Sequence, residues 1–140
     1  MKKSVLFFCL LSVFSVNMAA QKVIVQVSGI KETTGNVLVG VYNDAAAFAK
    51  VGSEIKLMSV PAHSETVDVE IPGLKDGEYA FTVLHDKNGD GKCDFNLLGI
   101  PKESFGFSNN VKPKLKTPSY HDVKVNVADG MIIRIKLLTF

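Results

Sequence analysis

The sequence has no tryptophan, only three tyrosines and only two cysteines among its 140 residues. Cys9 lies in an apolar N-terminal run, so Cys93 is the only cysteine in the rest of the chain. A lone cysteine without a Cys-x-x-Cys partner excludes an internal disulfide and argues against a redox motif. We therefore expect Cys93 to be a structural residue whose side chain points inward.

A basic excess is also missing once the N-terminal segment is set aside. The sequence carries 16 Lys and Arg against 14 Asp and Glu, and Lys2 and Lys3 belong to that segment. Without them, 14 basic residues face 14 acidic ones. A neutral chain without a basic stripe lacks the electrostatic footprint of a nucleic-acid-binding protein. We expect neither nucleic acid nor a membrane-surface helix among its interactions.

Apolar runs long enough to span a bilayer are absent, because a membrane helix needs about 20 apolar residues. The run from Val5 to Val16 is shorter, follows two lysines and precedes Ala19 and Ala20. This layout is typical of a secretory signal peptide. The sequence therefore predicts a signal peptide over 1–20, one domain over 21–140, and export to the periplasm or the medium.

Catalytic patterns are missing as well. The sequence has no nucleophile elbow, no His-Glu-x-x-His and no phosphate-binding glycine loop between a strand and a helix. His85 precedes Asp86, but neighbouring side chains on a strand point to opposite faces, so these two are not expected to hydrogen-bond. We predict a protein without enzymatic activity and keep a small envelope hydrolase as an alternative.

Alternation of apolar and polar residues is what the sequence does have. The alternating segments are Val23–Val27, Val37–Val41, Val67–Ile71, Tyr79–Val83, Val123–Val127 and Ile133–Leu137. Such segments are typical of half-buried strands, and residues 55–60 form a weaker candidate. About seven short strands and almost no helix predict an all-β protein, a single antiparallel β-sandwich of immunoglobulin-like or transthyretin-like type with one long loop.

The apolar positions of these strands also predict the core. We expect it to contain Val25, Val39, Val69, Phe81, Val83, Val125, Ile133 and Ile135. The arrangement Leu74-x-x-Gly77-x-Tyr79 resembles the tyrosine corner of sandwich domains, in which a tyrosine hydroxyl caps the preceding turn.

Two connections predict hairpins. The turn at 29–35 would join the first two strands, and Asp129-Gly130 would join the last two, since Asp-Gly between alternating runs is a strong hairpin signal. The alanine-rich segment 43–51 predicts a short helical turn that places Phe48 against the core.

The segment from Asp86 to Tyr120 is too long for an ordinary connection, and such loops are usually functional or held in place by something. Counted from Asp86, side-chain oxygens fall at the first, third, fifth and ninth positions, the spacing of a calcium-binding loop, with a glycine at the sixth. The candidate ligands in this stretch are Asp86, Asn88, Asp90, Asp94 and the carbonyl group of Lys92.

The calcium-loop pattern fails at the twelfth position, where Leu97 replaces the expected bidentate glutamate. Glu103 could fold back as the missing carboxylate, or Asn96 and water could complete a weaker site. Alternatively, Asp, Asn and Gly cluster here because they form Asx-turns, with no metal involved. We predict weak calcium binding at Asp86–Asp94 and Glu103, with turn chemistry as the alternative interpretation.

A second cluster of polar and aromatic residues follows this loop. Phe107, Asn109 and Asn110 are predicted either to form a turn packed on the first or to bind a ligand directly. Asparagines beside an aromatic ring suit a shallow sugar site, so a carbohydrate-binding module is the runner-up function. The absence of tryptophan and the presence of only three tyrosines weaken that option.

The loop carries a resemblance to a known family. The residues concerned are Tyr79, His85, Asp86, Asn88, Gly89, Asp90, Gly91, Lys92, Asp94, Asn96, Gly99, Ile100, Pro101, Lys102, Glu103, Gly106, Phe107, Ser108, Asn109 and Asn110. In these residues and the flanking strands the chain resembles the bacterial family of domain of unknown function 2141. The resemblance implies a small exported all-β protein and brings no agreed activity, substrate or catalytic residues.

The function expected from the sequence is therefore an exported, non-catalytic β-sandwich whose long loop presents a binding surface. Its partner is expected to be an envelope protein or a glycan, and the protein is expected to be a monomer. Calcium is the only cofactor that the sequence suggests.

Overall fold

The computed structural model describes residues 21–140, and the predicted signal peptide over 1–20 lies outside the described residues. The strands are β1 Lys22–Ser28, β2 Asn36–Tyr42, β3 Lys56–Pro61, β4 Thr66–Pro72, β5 Gly77–Asp86, β6 Phe105–Phe107, β7 Val125–Val127 and β8 Ile132–Lys136. A four-residue helix, α1, spans Tyr120–Val123, and Ser108–Asn110 forms a 3-10 turn. Within residues 21–140 no helix is long and apolar enough to cross a membrane.

Two sheets pack against each other, which confirms the predicted all-β class. The smaller sheet has the order β4-β1-β8, and the larger has the order β3-β2-β5-β6, with β7 paired to the start of β5. Neighbouring strands run antiparallel except β1 and β8, which are parallel. The long loop leaves from the end of β5 and returns as β6 on the same sheet.

The core between the sheets follows the alternation of the sequence. Val25, Val39, Val69, Phe81, Val83, Ile133 and Ile135 are all buried, as predicted. Val125 is only partly buried and packs at the margin of this core, because β7 is three residues long and covers only the beginning of β5. The buried faces that the alternation assigns to the core strands are therefore right, but the segment Val123–Val127 is a strand only from Val125, since Val123 ends α1 and packs in the outer cluster.

The first predicted hairpin is wrong. β1 pairs with β4 and β8, whereas β2 pairs with β3 and β5, so these consecutive strands lie in different sheets. Both sheets bury one face in the same core, and each strand needs the same alternation whether its neighbour is beside it or opposite it. The pattern fixes the buried face but does not choose between these arrangements.

The hairpin predicted at Asp129-Gly130 is also wrong, since β7 joins β5 and β8 joins β1. The turn itself forms, with Gly130 at a φ of 75°. It binds the start of β1: Asp129 Oδ1 accepts the backbone N–H of Lys22 at 2.9 Å, and the N–H of Gly130 donates to the Lys22 carbonyl at 2.9 Å. Because this turn is bound to β1, the strands before and after it, β7 and β8, can belong to different sheets.

A second apolar cluster lies on the outer face of the larger sheet, and it corrects the sequence-based predictions for Phe48 and for the tyrosine corner at Tyr79. It contains Tyr42, Phe48, Ala80, Phe107, Tyr120 and Val123. Phe48 is buried as expected, but in this outer cluster, and the segment before it forms turns and no helix. The hydroxyl that reaches the corner before Tyr79 belongs to Tyr120, which donates to the carbonyl of Glu78 at 3.2 Å.

Candidate functional site

Asp86, the last residue of β5, organises the first half of the long loop. Its carboxylate is buried, with 2% of the residue exposed. Oδ1 accepts the backbone N–H groups of Gly89 and Asp90 at 2.8 and 3.2 Å, and Oδ2 accepts that of Gly91 at 2.8 Å. Consecutive N–H groups that converge on one oxyanion form an anion-binding nest, and here the anion is the chain's own side chain.

Glu103 folds back to the start of the loop, as one of the two sequence-based hypotheses required. Its carboxylate is buried, and it accepts the backbone N–H of Lys87 at 2.9 Å and that of Asp94 at 3.2 Å. The Asp94 carbonyl in turn accepts the N–H of Lys102 at 2.8 Å. Two buried carboxylates, satisfied by backbone N–H groups, therefore close the loop.

The remaining candidate calcium ligands make local turn contacts. Asn88 Nδ2 donates to Asp94 Oδ2 at 2.8 Å, and Asp90 Oδ1 accepts the N–H of Lys92 at 2.9 Å. Within residues 21–140 no group of three or more His, Cys, Asp or Glu side chains is arranged to hold a metal ion. Calcium binding stays a prediction from the sequence, and the contacts observed here are those of the turn interpretation.

His85 and Asp86 face opposite sides of the larger sheet. His85 is buried on the inner face, where Nε2 lies 2.7 Å from the carbonyl oxygen of Thr34. A carbonyl oxygen only accepts, so Nε2 carries the proton and Nδ1 is left as an acceptor. Nδ1 is buried and has no hydrogen-bond partner among residues 21–140. The two side chains do not form a catalytic pair in this arrangement.

Of the three residues predicted to bind a ligand after the loop, the two asparagines are used in packing. Asn109 donates from Nδ2 to the carbonyl oxygen of Lys124 at 3.0 Å, and Asn110 binds the backbone of β8 at Arg134 and Lys136. Phe107 is 9% exposed and belongs to the outer aromatic cluster. The amide groups are engaged with backbone, as the turn interpretation required, which leaves little for a sugar.

A cleft of about 570 Å³ lies over the outer face of the larger sheet. Its floor is formed by the outward side chains of β2, β3, β5 and β6, while their inward neighbours build the core. The floor residues are Leu38, Gly40, Tyr42, Leu57, Thr82, Leu84, Phe105 and Phe107. A Cβ at Gly40 would stand 2.7 Å from Thr82 Oγ1, so glycine keeps this part of the floor low.

Two segments of irregular chain form the walls of this cleft. The long loop contributes Cys93, Phe95 and Ile100, and the connection after the 3-10 turn contributes residues 113–117. Several wall side chains are apolar and exposed: Phe95 is 58% exposed and Leu115 is 102% exposed. The cleft is therefore mostly apolar both on its floor and around its mouth.

Cys93 stands in the loop wall and is partly buried, which agrees with the expected inward orientation. Burial raises the pKa of its thiol, and the nearby carboxylates of Glu103, Asp94 and Asp90 raise it further. A thiol with a raised pKa is a poor nucleophile at neutral pH. Because Cys93 lines the cleft, the rate at which its thiol is alkylated can report whether a ligand occupies the cleft.

Sequence reasoning missed this cleft. The signal was β2, which carries large apolar residues on both faces, Leu38 and Tyr42 outward as well as Val37, Val39 and Val41 inward. A strand that is apolar on both faces is typical of a sheet covered on both sides. Part of the outer cover is the aromatic cluster, and the rest of that face is the cleft.

The family comparison matches most of the chain. The family described as uncharacterized protein conserved in bacteria (DUF2141) matches residues 25–133, a range that includes the loop and the cleft floor. No curated protein and no solved structure matches the chain.

Proposed function

Because the chain belongs to the uncharacterized bacterial family DUF2141, which supplies no activity to transfer, we propose a function from the site itself. The protein is an exported, non-catalytic binding domain, and its ligand is an apolar small molecule held in the cleft above the larger sheet. The long loop presents one wall of the binding surface.

The observation that carries this proposal is the cleft. Binding sites for small molecules are concave, mostly apolar and typically about 300–1,000 Å³ in volume. The cleft measures about 570 Å³, and Leu38, Leu84 and Phe105 lie on its floor. Its position also accounts for exposed side chains such as Phe95 and Leu57, at 58% and 55% exposure, which cost free energy in water unless a ligand covers them.

The non-catalytic part of the proposal is supported by the groups that line the cleft. Cys93 has a raised pKa, and the buried His85 lies on the other face of the sheet. Glu54 lines the cleft, and its charge together with burial raises the pKa of Tyr42 rather than activating it. None of these arrangements pairs a nucleophile with a base at hydrogen-bonding distance.

Export and calcium binding are supported by sequence alone. The signal-peptide pattern over 1–20 supports export. Weak calcium binding, if it occurs at Asp90 and Asp94, would stiffen the loop wall of the cleft, because both residues lie beside Cys93. Calcium would then act on the binding surface and not on a reaction.

The cleft can be tested with a neutral dye whose fluorescence rises in apolar surroundings, such as N-phenylnaphthylamine. We expect the dye to bind and to slow alkylation of Cys93, followed at that residue by peptide mass spectrometry. Leu57→Asp should weaken dye binding by about tenfold or more, because a carboxylate facing an apolar ligand loses hydration.

The matched control is Ile132→Asp, which places the same charge at a half-exposed apolar position on the other sheet. This variant should bind the dye as the unmodified protein does. Equal binding by Leu57→Asp and the unmodified protein, or no protection of Cys93, would contradict the proposed function.

A further inference from the structure

The charge around the cleft is uneven, although the chain as a whole carries little net charge. Three lysines line the cleft: Lys92 from the long loop, and Lys114 and Lys116 from the opposite wall. The only acidic side chain among the lining residues of the described chain is that of Glu54. The mouth of an apolar cleft therefore carries an excess of positive charge.

The nearby carboxylates of the long loop do not line the cleft, although their charges reach Cys93 in its wall. Glu103 is buried and its oxygens accept the backbone N–H groups of Lys87 and Asp94. The carboxylates of Asp90 and Asp94 are engaged in the turn contacts with Lys92 N and Asn88 Nδ2. None of these three acids lines the cleft.

The wall with Lys114 and Lys116 has an unusual sequence for an exposed segment. Residues 111–118 read Val-Lys-Pro-Lys-Leu-Lys-Thr-Pro, in which lysines alternate with mostly apolar residues and no acid occurs. Leu115, between the two lining lysines, is fully exposed at the cleft mouth. An apolar side chain flanked by two ammonium groups is complementary to a ligand in which an apolar group and an anionic group lie within a few ångströms of each other.

The cleft floor is wide as well as long, because it covers four neighbouring strands. Its floor runs along β2 from Leu38 to Tyr42, a distance of about 13 Å at the rise of a β-strand. Leu84 and Phe105, which pair across the sheet, continue it sideways from the Leu38 end. A long apolar floor with charge at the rim suits a chain-like ligand with one polar end.

We infer that the ligand of the cleft is a single-chain amphiphile with an acidic head group, such as a fatty acid, whose chain lies on the apolar floor and whose anionic head meets the lysines at the mouth. This inference rests on the proposed function and specifies the chemistry of its ligand. Lys114 and Lys116 supply the specificity for the head group, and the floor supplies most of the affinity.

The test compares three probes with the same chain and different heads: decanoate, decanol and decyltrimethylammonium, each below the concentration at which it forms micelles. Binding is measured by displacement of the neutral dye and by protection of Cys93 from alkylation. We expect decanoate to bind best and the cation worst. The advantage of decanoate over decanol and the disadvantage of the cation should both shrink as salt rises from 0.1 M, because the Debye length falls from about 10 Å to about 3 Å at 1 M.

The variant that isolates the head-group contact is Lys114→Gln/Lys116→Gln. It should weaken decanoate binding by about three- to tenfold, the range expected for two exposed charge contacts, and leave decanol binding unchanged. The matched control is Lys31→Gln/Lys75→Gln, which removes two exposed lysines that do not line the cleft. This control should keep the preference for decanoate.

The outcomes separate this inference from the proposed function. Equal binding of decanoate and decanol, or a decanoate preference that survives Lys114→Gln/Lys116→Gln, overturns the acidic-head inference while the dye result still stands. Failure of all three probes and the dye overturns both. Sedimentation with anionic phosphatidylglycerol vesicles, without protection of Cys93 by monomeric decanoate, would assign the lysines to a membrane surface and also overturn the inference.

Discussion

Glu103 Oε1 accepts the backbone N–H of Lys87 at 2.9 Å and so ties together two points that are 16 residues apart. Its other oxygen accepts the N–H of Asp94 at 3.2 Å. With Asp86 bound to three further N–H groups, the loop is closed by side-chain anions and backbone donors. The loop wall of the cleft is therefore held by hydrogen bonds within the loop itself.

Replacing Glu103 should loosen this wall. Glu103→Gln exchanges one acceptor oxygen for an amide donor and leaves a buried N–H group without a partner, which costs about 1–3 kcal/mol. We expect that loss in the free energy of unfolding measured in urea, together with faster alkylation of Cys93. Glu65→Gln, at an exposed position, should stay within about 0.5 kcal/mol. A Glu103→Gln variant as stable as the control would show that the carboxylate does not hold the loop.

Calcium should bind the loop weakly, if the prediction from its sequence is right. Asp86 and Glu103 are already satisfied by N–H groups, so Asp90, Asp94 and Asn88 would have to supply most of the ligands. So few ligands imply a dissociation constant on the order of 10⁻⁴ to 10⁻³ M. At ten times that concentration, calcium would stabilise the fold by about 1.4 kcal/mol.

This stabilisation should appear as a rise of a few degrees in the melting temperature, on the order expected for a domain of this size. The rise should be reversed by a chelator, be absent in Asp90→Ala, and be much smaller with magnesium, which demands a tighter octahedral shell. A melting curve that millimolar calcium leaves unmoved would leave the turn interpretation as the complete account of the loop.

Phe81 should be one of the most costly core residues to truncate. It is fully buried between the sheets, and its backbone N–H donates to Ser108 Oγ at 3.0 Å. Phe81→Ala should cost about 3–5 kcal/mol in the free energy of unfolding, as is typical of buried aromatic residues. Leu115→Ala, at a fully exposed position, is the control and should change little. A loss below about 1 kcal/mol at Phe81 would place its ring outside the core.

The pH dependence of Cys93 labelling should be displaced upward. Burial, and then the charges of Glu103, Asp94 and Asp90, disfavour the thiolate in the folded protein and raise the pKa of Cys93. Since the thiolate is the reactive form, the rate of alkylation should rise with pH at higher values than it does for the same cysteine in urea. The protonated thiol of Cys93 therefore contributes stability to the folded state when the pH is below the pKa of the unfolded state. This contribution is lost as the pH rises through the pKa of the folded state. Coinciding profiles in the two states would contradict the raised pKa.

The N-terminus of the exported protein should be Gln21. The pattern of lysines, apolar run and small residues over 1–20 predicts cleavage after Ala20. Mass spectrometry of protein recovered from the periplasm or the medium tests this directly. Intact Met1 in a membrane fraction would mean that the segment is retained as an anchor.

The strands and the core could be predicted because alternation reports which face of each strand is buried. Strand pairing could not, since β1 and β2 need the same alternation as neighbours or as partners across the core. The turn predicted at Asp129-Gly130 forms, but it does not join its two flanking strands into a hairpin. Its donors and acceptors are taken by Lys22, which is 107 residues away in the sequence.

The site was predictable in part for a related reason. The return of Glu103 to the loop was one of two alternatives that the missing carboxylate raised. Its partners, the backbone N–H groups of Lys87 and Asp94, could not be predicted, because such groups leave no trace in a sequence. Leu38 and Leu84 are apolar residues at outward positions of their strands, and this pattern weakly indicates that the outer face of the sheet is covered. That signal does not say whether another element covers them or a ligand does.

The parallel pairing of β1 with β8 has a consequence for the order of folding. Val25 lies beside Ile133, so the centre of the smaller sheet joins residues from nearly opposite ends of the domain. A chain that emerges N-terminus first keeps β1 without this neighbour until almost all of it has appeared, and contacts between such distant residues form slowly. For the export that we propose, we expect the polypeptide to remain unfolded through most of its passage across a membrane, and to gain its full stability only when the last strand arrives.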